Sequence, residues 1–369
     1  MLPYWIVFAI AATGALTERA RTQVAGGHPQ SLKLKPKGLN ASWWLIASGL
    51  TLFIGLRHEV GGDWFAYLEN FRKIDFGSQE RLDHGFPEIL SVREPGYRLF
   101  EWIGHQTGGG MYIVNLLCAT IFAYGLARFC RSLARPWLGL SAAVPYLIIV
   151  VAMGYTRQAV AVSCAMAGFC WLSQSDRLRY VFWIIAGSLF HQSVWLLLPL
   201  ALLTKPQRWF VQMGGMLLVG IVGAVFAFSD TIATLSRGYL DQGYGSEGAL
   251  IRLSLNALPA ILFLANRSKF GFSDAAQRLW TWMALGAVVL LMAYFVSPSS
   301  TAVDRIGLYL IPLQLAVFAH FPGSLGDTVQ RIYVLFCLAF FLLVMFVWLT
   351  FANHASNWIP YQSAIFAGP

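Results

Sequence analysis

The sequence predicts an all-α fold, a polytopic membrane helix bundle with about 11–12 transmembrane passages. Hydrophobic residues make up 57% of the chain and charged residues only 12%, whereas soluble domains carry about a quarter charged residues. The apolar residues also fall in runs long enough to cross a bilayer. The net charge of +9 lies largely in short hydrophilic gaps, which indicates positive-inside loops rather than nucleic-acid binding. We expect residues 1–369 to form a single transmembrane domain.

Ten apolar runs approach the roughly 20 residues that a membrane-spanning helix needs. The first run has no charged residues before it and no clear cleavage site, so we expect a retained span rather than a signal peptide. The predicted spans are residues 2–17, 41–56, 111–129, 136–153, 156–173, 209–228, 250–265, 279–296, 303–320 and 329–352.

The run YVFWIIAGSLFHQSVWLLLPLALLT at residues 180–204 has two interpretations. It is either one span with His191 at mid-depth, or two half-spans that turn at His191, Gln192 and Ser193. The positive-inside rule favours the hairpin, because it returns five later basic residues to the same side as the basic loops at 18–40, 128–135 and 176–179. Those five residues are Lys205, Arg208, Arg267, Lys269 and Arg278.

The segment at residues 57–110 is too polar to span a membrane, and it carries nine of the 17 acidic residues. Loops of this length are usually functional. Threading from the basic loops places it on the extracytoplasmic side. We expect amphipathic helices at 63–75 and 95–107, lying on the membrane surface.

Most of the ionisable residues near membrane depth are predicted to meet at this outer face. Such residues are costly in lipid, at about 2.5–3.5 kcal/mol each at a helix centre, and normally face a cavity or a partner. The converging groups are Arg57, His58, Glu59, Asp63, Arg93, Glu94, Tyr97, Arg98, Arg157, Gln158, His191, Asp304 and Arg305.

Each of these residues also has an ordinary structural explanation. Arg57 and Arg157 fit interfacial side chains at the ends of spans, and His191 fits a histidine bonded to a neighbouring helix. Asp63 and Glu94 fit solvated loop carboxylates. Asp304 and Arg305 fit a local ion pair that caps a helix, so the convergence, rather than any one residue, carries the functional interpretation.

Several arginines with nearby carboxylates at a membrane surface suit a lipid diphosphate. Guanidinium groups match diphosphate oxygens in a bidentate manner, and fixed arginines stabilise a leaving diphosphate without a metal. A carboxylate or a histidine then serves as general base for a sugar hydroxyl. The five cysteines indicate neither disulfides nor a zinc site, and the metalloprotease, nucleophile-elbow and P-loop motifs are absent from the sequence.

The motifs and their order resemble the EpsG family of Wzy-like bacterial polysaccharide polymerases. The similarity covers residues 55–361, with Gly62 where the family usually has threonine and a polar insertion at 75–92. The elements that carry it are Arg57, the Val60–Trp64 turn with Asp63 and Tyr67, Glu94-Pro95-Gly96-Tyr97, Arg157-Gln158, Phe190-His191-Gln192-Ser193, Arg305 with Tyr309, and Pro360-Tyr361.

This resemblance implies a GT-C-like glycosyltransferase at the periplasmic face of the bacterial inner membrane. It would join oligosaccharide repeat units carried on undecaprenyl diphosphate, with no metal and no cofactor. The resemblance leaves open whether a polysaccharide chain-length regulator is a further partner. The expected catalytic residues are Asp63, Glu94, Arg157 and His191, and the expected substrate-binding residues are Arg57, Tyr67, Tyr97, Gln158, Asp304, Arg305 and Tyr309.

Two other functions remain open from the sequence alone. A lipid-linked oligosaccharide flippase or transporter would need charges along a full path across the membrane, whereas these charges are predicted at one face. A membrane O-acyltransferase acting on the polysaccharide would depend on a catalytic histidine such as His191.

Overall fold

The fold is all-helical, as the hydropathy pattern predicts, apart from one short hairpin. The computed structural model describes residues 1–18, 24–25, 28–29, 38–73, 94–204, 214–215, 248–297, 299–321 and 326–366. The hairpin pairs β1 (Val24–Ala25) with β2 (His28–Pro29) in antiparallel fashion. The predicted span at 209–228, Arg93 and the insertion at 75–92 lie outside the described residues.

The helices follow the predicted spans closely. The π-helical stretch Val144–Val151 lies inside the fourth span, and the segments Gln192–Leu197 and Leu308–Leu310 are 3₁₀-helical. The described helices are α1 (Leu2–Thr17), α2 (Ala41–Gly55), α3 (Trp64–Lys73), α4 (Pro95–Gln106), α5 (Gly110–Ser132), α6 (Pro136–Gly154), α7 (Thr156–Leu172), α8 (Arg177–Ser188), α9 (Leu200–Leu203), α10 (Ala249–Asn266), α11 (Asp274–Tyr294), α12 (Ser300–Gly307), α13 (Ile311–His320) and α14 (Asp327–Phe351).

Six of the described helical segments are long and apolar enough to cross a membrane. They contain α5, α6, α10, α11, the continuous α12–α13 segment and α14. The helices α1 and α2 and the segment Gln192–Leu203 are apolar but shorter. Together they confirm a polytopic membrane helix bundle.

The run at 180–204 folds back on itself, which confirms the hairpin interpretation. The Tyr180 hydroxyl, near the start of α8, donates a hydrogen bond of 2.5 Å to the Leu197 carbonyl. A single straight helix would separate these residues by about 25 Å along its axis. His191 therefore lies at the turn between two helical segments that fold back on each other.

The helix α7 lies at the centre of the bundle. It is rich in alanine and packs closely against α5 and α8, as small residues allow in membrane helices. Every residue of α7 is buried except Trp171 and Arg157. Arg157 stands at the first turn of this helix, so an almost fully buried helix presents an arginine at its end.

The two ends of the bundle differ in their contacts and charge. At one end, here called the basic end, the Glu18 carboxylate accepts hydrogen bonds from the first backbone N–H groups of α6, at 3.0 Å from both Trp137 and Leu138. Such a carboxylate complements the helix dipole. The basic end carries Arg128, Arg131, Arg135, Arg177, Arg179, Arg267, Lys269, Arg278 and Arg331.

Candidate functional site

The opposite end of the bundle, here called the site end, is where α2 and α8 end and α7 and α12 begin. Arg57 lies there in the turn after α2 and is 1% exposed. Its guanidinium donates to the carbonyls of Ile54 (2.7 Å) and Val60 (3.1 Å). It also donates to Asn115 Oδ1 (3.1 Å) and Thr156 Oγ1 (2.8 Å). Arg57 thereby ties the turn to the starts of α5 and α7, and these contacts use most of its donors.

The turn that carries Asp63 is held by a backbone conformation that requires glycine. Gly61 has φ +112°, and a Cβ atom built there would lie 2.1 Å from the Met153 carbonyl oxygen. A side chain would clash and strain the backbone. The Gly61 N–H donates to the Asn357 carbonyl at 2.8 Å, so the turn is clamped between the end of α6 and the C-terminal segment.

The C-terminal segment 352–366 returns across the site end and locks the same turn. Trp358 donates from its indole to the Ile149 carbonyl in the π-helical part of α6, at 2.8 Å. The Tyr361 hydroxyl donates to the Phe53 carbonyl at 2.7 Å. Arg57 also forms an isolated antiparallel bridge with Ser363. The Pro-Tyr element predicted near the end of the chain is therefore part of the scaffold around Asp63.

The Glu-Pro-Gly-Tyr element begins α4 and docks on the turn after α8. Its Gly96 N–H donates to the Leu189 carbonyl at 2.8 Å, and a Cβ atom at Gly96 would lie 2.9 Å from that of Leu189. This close approach brings Glu94 and Tyr97 alongside the turn that contains His191.

Arg157 is the centre of the site-end contacts. Its Nη1 atom lies 2.5 Å from Glu94 Oε2, and its Nε donates to the Tyr67 hydroxyl at 3.5 Å. The guanidinium carbon lies 5.4 Å from the ring centroid of Tyr67 and 5.6 Å from that of Tyr97. These rings hold the guanidinium in place. The side chain nevertheless remains 41% exposed, so Arg157 is positioned by the protein and accessible to a ligand.

Gln158 connects the start of α7 to α12. Its Nε2 donates to the Arg305 carbonyl at 2.7 Å, which fixes the backbone from which Arg305 projects. The Arg305 side chain is exposed. The bidentate partner of the neighbouring Asp304 is Arg252 of α10, with Nε–Oδ1 at 2.8 Å and Nη2–Oδ2 at 2.6 Å. The local Asp304–Arg305 pair considered from the sequence is therefore not the arrangement found.

Asp63 is half-buried, and its carboxylate accepts no hydrogen bond from any of the described residues. Burial raises the pKa of the Asp63 carboxyl, and the positive charges of Arg305 and Arg157 oppose that rise. Asp63 therefore shares an electrostatic environment with both arginines. A carboxylate with open lone pairs beside two cations is suited to accept a proton from a bound hydroxyl.

His191 belongs to a chain of polar groups rather than to the Arg157 contacts. Its Nδ1 lies 2.6 Å from Ser193 Oγ, which lies 2.9 Å from the Tyr309 hydroxyl. The Tyr309 hydroxyl also contacts the Gln158 side chain. The chain thus connects the turn after α8 to α7 and to the 3₁₀ segment before α13.

The predicted site residues all lie at the site end, in three kinds of environment. Arg57 and Asp304 are buried, with guanidinium or carboxylate groups satisfied by the protein. The side chains of Tyr67, Tyr97, Gln158 and Tyr309 contact and support their neighbours. The residues that combine a charged group with at least partial accessibility are Asp63, Glu94, Arg157 and Arg305, and the His191 imidazole is also half-buried.

Sequence reasoning missed several partners of these residues. Arg252 had a usable signal, because it lies inside the predicted span 250–265 and a charge within an apolar run marks a partner or a function. Asn115 and Thr156, which bind Arg57, are ordinary polar residues at helix ends. Their role follows only from the packing of α2, α5 and α7.

Comparison with known proteins agrees with the motif pattern. The EpsG family model matches residues 40–363 of the 369-residue chain, which includes every element of the site end described above from Arg57 to Ser363. No curated protein and no solved structure gives a significant match to the chain.

Proposed function

Because the chain belongs to the EpsG family of Wzy-like polysaccharide polymerases, we propose that it is a membrane glycosyltransferase that joins lipid-linked oligosaccharide repeat units. The donor is a growing chain on undecaprenyl diphosphate, and the acceptor is the next lipid-linked unit. An acceptor hydroxyl oxygen bonds to the anomeric carbon of the donor sugar. The bond from that carbon to the diphosphate breaks, and the lipid diphosphate leaves with the electron pair.

The observation that carries this proposal is the accessible guanidinium of Arg157, whose positive charge acts together with that of Arg305 on the half-buried Asp63 carboxyl. Two arginines near one carboxylate supply what the reaction requires, namely positive charge for the leaving diphosphate and a base for the incoming hydroxyl. Because fixed cations provide the charge stabilisation, the proposed reaction proceeds without a metal. The architecture is proposed to be GT-C-like.

The proposed reaction gives the predicted charged residues of the site end distinct roles. Arg157 and Arg305 bind the diphosphate, and Asp63 accepts the hydroxyl proton. Glu94 aligns Arg157 through their direct contact, and His191 assists acceptor binding through its link to Tyr309. Arg57 and Asp304 act as positioning residues, because their charged groups are satisfied within the protein.

The distribution of basic residues supports a periplasmic orientation for the site. The basic end carries a cluster of arginines and lysines in its short connections, and such residues favour the cytoplasmic side. The site end, with α3 and α4 lying beside it, then faces the periplasm of a bacterial inner membrane. A lipid diphosphate presents its charge at that depth while its tail remains in the bilayer.

The first test is the intermediate that accumulates in cells lacking the chain. We expect single lipid-linked repeat units on the outer leaflet and no polymer, because polymerisation is the step that fails. Accumulation on the inner leaflet would instead indicate a flippase. Normal polymer length with loss of acetate would indicate an O-acyltransferase. Complementation with the wild-type chain is the control, and it should reverse whichever defect is observed.

A further inference from the structure

A second buried carboxylate lies on α4, one helical turn beyond the Glu-Pro-Gly-Tyr element. Glu101 is 5% exposed. Its Oε2 lies 3.1 Å from Nη1 of Arg98 on the same helix. A buried ionisable residue in an amphipathic helix is unusual, because the charged form loses its hydration. The family pattern and the proposed reaction assign Glu101 no role.

Glu101 is connected to Arg157 through α4. Tyr97, one turn earlier on this helix, has its ring centroid 5.6 Å from the Arg157 guanidinium carbon, and Glu94 at the start of α4 contacts Arg157 directly. The charges that act on Glu101 are those of Arg98 on its own helix, Arg157 of α7 and Glu94 at the start of α4. The other titratable neighbours are Tyr97 on α4 and Cys118 on α5. Glu101 therefore forms part of one electrostatic group with the two arginines and Glu94.

We propose that Glu101 is a positioning residue whose protonation sets the net positive charge that Arg98 and Arg157, together with Glu94, present to an anionic diphosphate. The proposal rests on the proposed function, because it concerns how the same site binds its lipid diphosphate. Glu101 does not touch the substrate. It acts through Arg98 and Arg157, which share its environment.

The charge balance explains the direction of the effect. With Glu94 and Glu101 both ionised, they neutralise Arg98 and Arg157, so this group has no net charge. With Glu101 protonated, the group carries one net positive charge, which attracts a diphosphate. Unit charges roughly 10–15 Å apart at an effective dielectric constant of about 20 change affinity by about tenfold.

Glu101 is suited to change its charge near neutral pH. Burial raises the pKa of the Glu101 carboxyl to about 7, against the opposing effects of Arg98 and Arg157. The neutral form therefore dominates at pH 6 and the ionised form at pH 8. Because the pKa is raised in the folded state, the associated stabilisation is present at low pH and is lost as the pH rises through about 7.

Binding of a synthetic short-chain polyprenyl-diphosphate sugar at pH 6 and pH 8 tests the proposal. A sugar diphosphate of this kind is a diester, so it keeps its two charges over this range. We expect the Kd of the wild-type protein in detergent to rise three- to tenfold from pH 6 to pH 8. We expect Glu101→Gln to bind at both pH values with the affinity that the wild type shows at pH 6.

Two further variants keep the test independent of misfolding. Arg98→Gln removes the cation that favours the ionised form of Glu101, so we expect the midpoint of the pH dependence to move upward. Glu69→Gln is the matched control, because Glu69 is an exposed carboxylate on α3 that pairs only with Lys73 among the described residues. We expect Glu69→Gln to keep the wild-type pH dependence. The unfolding temperature at pH 6 checks that each variant is folded.

The outcomes separate this inference from the proposed function. A folded Glu101→Gln variant that keeps the wild-type ratio of Kd values overturns the role of Glu101, as does Arg98→Gln with an unshifted midpoint. The proposed function of the wild-type protein as a polymerase is not affected by either result. If the wild-type protein binds the diphosphate sugar with the expected pH dependence but forms no polymer, the proposed function fails and the electrostatic role of Glu101 remains.

Discussion

Replacing Arg157 by alanine is expected to lower the polymerisation rate by about 10²–10³-fold, the usual loss when one preorganised charge-stabilising group is removed. Arg157 lies in the first turn of an almost fully buried helix, yet its side chain remains 41% exposed. Glu94 and the rings of Tyr67 and Tyr97 hold its guanidinium in one position. The variant loses a charge that needs no rearrangement during the reaction.

Arg157→Lys separates charge from shape at the same position. Lysine keeps the positive charge but lacks the planar fork that binds two diphosphate oxygens, so we expect only partial recovery of the rate. Polymer length and initial rate in proteoliposomes provide the measurement. Arg72→Lys on the exposed face of α3 is the matched control and should behave like the wild type. Normal polymerisation by Arg157→Ala would remove Arg157 from the proposed mechanism.

Replacing Asp63 by asparagine is expected to reduce kcat by about 10²–10⁴-fold, the range of general acid–base catalysis. Asparagine has nearly the same shape, and the Asp63 carboxylate makes no hydrogen bond to the described residues. The folded structure should therefore persist while the base is lost. The rate constants should show a large change in kcat with a smaller change in KM.

The pH dependence of the wild-type reaction provides a second test of Asp63 as the general base. A base works in its ionised form, so activity should rise with pH through the pKa of Asp63, which burial raises above its usual value. The acidic limb of the pH–rate profile should therefore have its midpoint at a higher pH than an exposed aspartate would give. The Asp63→Asn variant should lack this limb. Glu59→Gln, an exposed carboxylate four residues earlier, is the control. A rate for Asp63→Asn close to the wild type would exclude Asp63 as the base.

The sequence was sufficient to predict the arrangement of helices along the chain, because membrane-spanning segments can be recognised directly from hydropathy. The described spans and the turn at His191 follow from apolar runs and from the placement of basic residues. These features depend on local composition and on the cost of charge in lipid. They need no knowledge of which helices are neighbours.

The sequence could not predict in the same way which charged residues are satisfied within the protein and which remain accessible. Arg57 and Arg157 both lie beside spans, but only the packing of α2 against α5 and α7 buries Arg57 among Asn115 and Thr156. Asp304 precedes Arg305 by one residue, yet its partner is Arg252, 52 residues away. Residue type and spacing do not specify such distant partners. These partners nevertheless determine which charged side chains are buried and which remain accessible.

The reaction itself is tested most directly with the purified wild-type protein in proteoliposomes that contain only lipid-linked repeat units. Products are resolved by length, with and without a metal chelator. We predict a ladder of polymers that lengthens with time, equal in the two conditions, with release of free lipid diphosphate as each glycosidic bond forms. If the lipid-linked units remain monomeric while the protein is folded and the units are accessible at the site end, the chain is not the polymerase.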